Sequence, residues 1–216
     1  MKITGAIFDM DGTLLNSMDY WGVVAGEYLL KKGITPTEDT NCRFLSDGMK
    51  SWYEYCVKEY GLSEDFDTVK KEIYSEMDKK YKTVVQLKDG AGELLERLSE
   101  NGVKMCLATA TDRETVNIII EKLGLKKYFS KIFTSGEVGL GKRFPKIYEL
   151  ALEYLGTDRE TTYVFEDAHY AIVTAHENGF KVVGVYDKNV FVPKEEVKAL
   201  CDIYLDEGSK YALDIE

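Results

Sequence analysis

Histidine is scarce in this chain: His169 and His176 are the only two, too few for a histidine-built metal centre. Cysteine is sparse and scattered. Cys42, Cys56, Cys106 and Cys201 form no Cys-x-x-Cys pair, which argues against a zinc site or a disulfide framework and points to reduced thiols in a cytoplasmic protein. No apolar run approaches the roughly 20 residues of a membrane span. No signal sequence is visible ahead of the first strand, and there is neither an internal repeat nor a low-complexity stretch. Positive charge is in deficit. A formal net charge of −10 argues against nucleic acid or an anionic membrane as partner. A small anionic substrate would meet the same repulsion, so it would need local help from a metal or a lysine.

What is present suffices for a core: 44% of the 216 residues are hydrophobic, which fits one large domain or one domain carrying a smaller insert. Short apolar segments at 3–8, 103–108, 131–134, 162–165, 181–186 and, more weakly, 202–205 read as strands. From residue 103 they alternate with helices expected at 113–123, 145–155 and 168–177, and a further helix is expected at 92–100. Gly102, Gly124, Gly156 and Gly179 follow these helices closely, as helix stops do. Alternation of this kind predicts an α/β fold, a doubly wound parallel sheet covered on both faces. Residues 17–87 break the rhythm. They hold helical periodicity at 18–32, 49–59 and 66–81, no convincing strand, both tryptophans and seven of the fifteen tyrosines. They are therefore expected to form an inserted helical domain between two parts of an α/β core, 1–16 and 88–216.

In doubly wound sheets ligands bind beyond the carboxyl ends of the strands, near the point where strand order reverses. The first strand ends in Asp9-Met10-Asp11-Gly12-Thr13. Strand side chains alternate, so the two carboxylates can leave the strand end pointing the same way, and they repel unless a cation or a proton offsets them. The second strand ends in Thr109-Ala110, the fourth in Glu166-Asp167, and Lys142 stands just ahead of a helix expected to begin at Pro145. Oxygen ligands without soft donors favour magnesium. A lysine, a hydroxyl and helix N-termini favour a phosphate. Together they describe a phosphoryl-transfer site.

These residues resemble the haloacid dehalogenase-like superfamily. Asp9-x-Asp11-Gly-Thr-Leu matches its first motif, Thr109 its second, Lys142 its third, and Glu166-Asp167 in Phe-Glu-Asp-Ala its fourth, all in order. A cap between the first two motifs is similar to that of the helical-cap subclass, which includes β-phosphoglucomutase and many small-molecule phosphatases. The resemblance implies that Asp9 attacks phosphorus and becomes an aspartyl phosphate. Asp11 protonates the leaving oxygen and then deprotonates water. Asp9, the Asp11 carbonyl, Asp167 and Glu166 would hold Mg2+, and Thr109, Ala110 and Lys142 would bind the transferring phosphoryl. The implied partner is a small phosphorylated metabolite bound to a monomer. Substrate choice would lie with cap residues, for which Trp21 and Lys50 are candidates by position.

Each residue also has a plainer reading. Asp and Gly are common in turns, threonine suits strands, a lone lysine is usually a solvated charge, and Asp167 could cap the helix after it. No role is assigned to His169 or His176. Where relatives often read Lys-Pro-x-Pro-Asp, this chain reads Lys142-Arg143-Phe144-Pro145-Lys146, which leaves the lysine intact. Thr13 favours a phosphatase, because β-phosphoglucomutase resembles Asp-Gly-Val there. Trp21 after Tyr20, where the mutase pattern has a histidine, points the same way. A mutase and a non-catalytic phospholigand-binding protein are the alternatives.

Overall fold

A computed structural model describes residues 2–213. Strands β1 (Gly5–Phe8), β2 (Lys104–Thr109), β3 (Lys131–Thr134), β4 (Thr162–Glu166), β5 (Lys181–Val185) and β6 (Ile203–Leu205) form one parallel sheet in the order β3-β2-β1-β4-β5-β6. Helices α1 (Met18–Lys31), α2 (Glu38–Ser46), α3 (Met49–Tyr60) and α4 (Phe66–Thr83) lie in the inserted segment. Helices α5 (Ala91–Glu100), α6 (Arg113–Lys122), α7 (Ser135–Val138), α8 (Lys146–Leu155), α9 (His169–Glu177) and α10 (Lys194–Ala199) accompany the sheet. The chain divides into two compact units, Met1–Asn16 with Gln86–Glu216, and Ser17–Val85.

In the sheet unit every residue of β1 and β4 is buried, whereas the edge strands β3 and β6 are only partly covered. That is how a parallel sheet behaves when helices cover both faces. Ile7, Val164 and Val182 pack with Tyr148, Ile172 and Phe180 in one core cluster. Phe8 and Phe165, paired across β1 and β4, stack at 4.2 Å between ring centroids. Most expected boundaries move by one or two residues. β1 starts at Gly5, and α8 starts at Lys146, with Pro145 in the capping position. The chain runs outward from β1 through β2 to β3, then returns to β4 on the other side of β1. The reversal therefore lies between β1 and β4, the place where such sheets bind ligands.

The helical unit has its own interior. Tyr28, Leu29, Phe44, Trp52, Val69 and Ile73 are buried together, and Trp52 meets Phe44 edge-on at 5.3 Å. The helix α2 was not among the expected elements. Thr37 caps it by accepting a hydrogen bond from the Thr40 N–H at 3.2 Å, and Glu38 and Asp39 follow in its first turn. Among the described residues no helix is long and apolar enough to cross a membrane.

Candidate active site

The ladder between β1 and β4 continues one step past the strand, where the Asp9 N–H donates to the Phe165 carbonyl at 2.9 Å. That step fixes Asp9 beside Glu166, the last residue of β4. Gly12, with φ of +86°, then turns the chain back sharply. The position has no room for a side chain: a Cβ on Gly12 would stand 2.2 Å from Asp167 Oδ2.

Asp9, Glu166 and Asp167 are all buried and can present three carboxylate oxygens within 4.8 Å of one another. Lys142 is buried with them. Its Nζ donates to Asp9 Oδ1 and, at 2.8 Å, to Glu166 Oε2, which also accepts from Tyr148 Oη at 3.2 Å. One ammonium among three carboxylates leaves negative charge uncompensated. Burial pushes the Asp9 carboxyl up to about 8, with Glu166 and Asp11 adding to the push and Lys142 opposing it. Burial, Asp9 and Glu166 likewise hold Asp167 well above the usual carboxylate range, against Lys88. Burial works against the Lys142 ammonium, but Asp9 and Glu166 outweigh it and hold its pKa well above the ordinary lysine value. A buried, all-oxygen set short of positive charge fits a hard divalent cation such as magnesium.

Asp11 stands outside that trio of side chains. It is half-buried, and its Oδ2 accepts from Thr111 Oγ1 at 2.6 Å. Thr109 is buried at the end of β2, its Oγ1 accepting the Thr111 N–H at 3.1 Å, and Ala110 beside it is exposed. Asp167 does not cap α9, for which Ala168 holds the capping position without a side-chain bond. Its Oδ1 instead accepts from Thr13 Oγ1 at 2.7 Å, while Glu166 Oε1 accepts the Ala168 N–H at 3.3 Å.

Two candidates belong to the helical unit. Trp21 is half-buried, stacked on Phe44 at 6.1 Å, with its indole N–H donating to Tyr81 Oη at 3.1 Å. Lys50 is exposed in the first turn of α3. Sequence reasoning missed Thr111, Tyr148, Lys88 and Asp187. Lys88 Nζ donates to the Gly12 carbonyl, to the Tyr186 carbonyl at 3.0 Å, and pairs with Asp187 Oδ2 at 2.8 Å. Asp187 comes just after β5, so the search of strand ends that found Glu166 would have reached it.

The chain resembles known proteins in sequence and in fold. The chain is 27% identical over 180 residues to the phosphorylated carbohydrates phosphatase of Thermotoga maritima, covering 83% of each protein. It is 27% identical over 182 residues to the validoxylamine A 7'-phosphate phosphatase of Streptomyces hygroscopicus subsp. limoneus, covering 83% of this chain and 84% of that one. A solved Thermotoga maritima structure put forward as a β-phosphoglucomutase has the same fold, with a TM-score of 0.81, 24% identity and 96% of each chain covered. A family model for haloacid dehalogenase-like hydrolases matches residues 6–185, from β1 through β5, and the chain belongs to that family of enzymes.

Proposed function

We propose that this enzyme is a magnesium-dependent phosphatase that hydrolyses a small phosphomonoester, such as a sugar phosphate, through an aspartyl-phosphate intermediate. One observation carries the reading: a nucleophile candidate, Asp9, is buried at the reversal point of the sheet against a lysine and two further carboxylates. A carboxylate oxygen of Asp9 forms a bond to phosphorus as the bond to the leaving oxygen breaks, and Asp11 gives that oxygen its proton. Water then attacks the acyl phosphate while Asp11 takes a proton back, releasing phosphate and restoring Asp9. The Thr111 hydroxyl, donating to Asp11 Oδ2, helps to orient that carboxyl. Thr109, Ala110 and Lys142 hold the phosphoryl oxygens. Asp9, Glu166 and Asp167, with the Asp11 carbonyl, hold magnesium. When bound, magnesium supplies charge that lets a carboxylate approach an anionic phosphoryl group. The inserted helical unit is read as the cap that selects the substrate, and the phosphatase names of the two curated relatives support the reaction class.

Release of inorganic phosphate from a panel of sugar phosphates and nucleotides tests the reading. Turnover is expected with magnesium, is lost in EDTA and returns when magnesium is restored. Metal-independent turnover would remove the site assignment. Conversion of β-glucose 1-phosphate to glucose 6-phosphate without phosphate release would make the enzyme a mutase. Binding of a phosphorylated ligand with no turnover would make it a binding module.

A further inference from the structure

The turn that follows Asp11 is held from outside at two successive carbonyls. Lys88 Nζ donates to the Gly12 carbonyl, and Tyr211 Oη donates to the Thr13 carbonyl. Thr13 is fully buried and Tyr211 is 4% exposed, so the bond between them is shielded from water. The Thr13 hydroxyl gives its one proton to Asp167 Oδ1 at 2.7 Å. A continuous path therefore runs from the Tyr211 phenol through Thr13 to a carboxylate of the acidic trio.

The segment that carries Tyr211 is clamped in turn. Arg97, on α5, donates from Nη2 to the Tyr211 carbonyl at 2.8 Å and from Nη1 to the Leu213 carbonyl at 3.1 Å. Gly90 lets this segment come close: a Cβ there would stand 2.1 Å from the Lys210 carbonyl oxygen. Lys210 (φ 48°) and Tyr211 (φ 53°) are the non-glycine residues with positive φ among the described residues. Such backbone persists only where its surroundings over-determine it, and it gathers at functional sites. Here the strained pair aims a buried phenol at the turn beside the carboxylates.

We propose that Tyr211 is a positioning residue for the magnesium site: by fixing Thr13 it sets the orientation of Asp167, and the strap at 209–213 is a working part of the enzyme. The inference rests on the phosphatase reading above. Groups that orient a metal ligand typically matter by about 10- to 100-fold in metal affinity or activity. Tyr211 acts one bond further out, so a loss of about 3- to 10-fold is expected.

The test is Tyr211→Phe, which keeps the ring and removes the hydroxyl. Magnesium affinity is measured by calorimetry on the full chain without substrate, alongside kcat, KM and Tm. The expected result is magnesium binding weakened about 3- to 10-fold, kcat lowered by a similar factor and KM for the substrate unchanged. Wild-type magnesium affinity and kcat with only a lowered Tm would make Tyr211 a structural tether and overturn the proposal. Arg97→Lys keeps the charge, loses the two-pronged grip on the strap, and is expected to shift the same two quantities by a smaller factor. If Tyr211→Phe does not fold, wild-type magnesium affinity in Arg97→Lys overturns the proposal by itself. Wild-type protein that neither binds magnesium nor turns over would instead remove the phosphatase reading, a result the calorimetry separates from failure of the strap.

Discussion

The two units bury different things. In the helical unit the interior is aromatic and neutral: Tyr28, Phe44 and Trp52 fill it, and no charged side chain there is buried among the described residues. In the sheet unit Asp9, Lys142, Glu166, Asp167 and Asp187 are all buried. Taking an ion out of water costs several kcal/mol, about 3–5 kcal/mol more if its partner is then removed. A fold keeps a cluster of buried ions where they serve chemistry. The contrast singles out the candidate reactive centre, and it predicts that substitutions in the two units fail in different ways.

The sharpest way to break the comparison is Asp9→Asn. Turnover should fall by at least about a thousandfold, because no other group can form the acyl phosphate. The fold should not suffer. An aspartate pushed up to about 8 is an unfavourable charge at higher pH, and asparagine relieves it while still accepting from Lys142. Phosphate release and thermal melting at pH 8 check both halves. Activity within tenfold of wild type would remove Asp9 as nucleophile.

The helical unit should fail by losing packing. Trp52 is fully buried against Phe44 and Tyr28, and Trp52→Ala is expected to cost about 3–5 kcal/mol of stability. Its indole N–H is buried without a partner among the described residues. Trp52→Phe should therefore recover most of the loss, since it gives up no hydrogen bond. Denaturant unfolding measures the pair. Magnesium affinity should be unchanged in both variants, because the proposed ligands all belong to the sheet unit.

The same contrast explains what could be read from the sequence. Core strands are short apolar runs with polar ends, so the rule for doubly wound sheets picks out Asp9, Thr109 and Glu166 with no other knowledge. The helix α2 escaped because only Thr40 and Phe44 are buried on it, too few to make a stripe of helical period. The signal that remained was local: Thr37 as cap, with Glu38 and Asp39 after it. Lys88 reads in sequence as a surface lysine before an Asp-Gly turn, and its three oxygen partners appear only once Gly12 and Tyr186 are brought together. Tyr211 has no periodic neighbours and no motif. Its position depends on the backbone of Lys210 and Tyr211, which sequence patterns do not reveal.

Proton linkage sharpens the comparison further. The folded pKa of Asp9 lies above its ordinary value of 3.8, at about 8. Asp167 is raised as well. Between about pH 4 and 8 the metal-free folded protein thus holds a proton at Asp9 that the unfolded chain has released. The contribution of Asp9 is fully present below about pH 4 and is lost as pH rises through about 8. In EDTA the melting temperature of wild type relative to Asp9→Asn should fall across this window. Magnesium, which binds the ionised carboxylates, should raise the wild-type melting temperature more at pH 8.5 than at pH 5.5. A difference between wild type and variant that grows with pH in favour of wild type would reverse the sign and remove the charged-cluster account.

The smallest effect should come from a well-connected charge of the helical unit. Lys32 Nζ lies 2.9 Å from Glu64 Oε1 and 3.1 Å from Glu72 Oε2, and over the Tyr28 ring at 5.2 Å. By distance alone it rivals Lys142. It differs in exposure: 25% of its side chain faces solvent, against 2% for Lys142. Water and salt screen the first and not the second. Lys32→Gln should therefore move the melting temperature by no more than about 2 °C at low salt, and by less in 1 M salt. Lys142→Gln in the same assay would leave Asp9 and Glu166 buried without their cation, and its effect should be larger and insensitive to salt. Equal shifts for the two would mean that burial does not separate the units, and the distinction between a charged interior built for chemistry and a charged surface would fall with it.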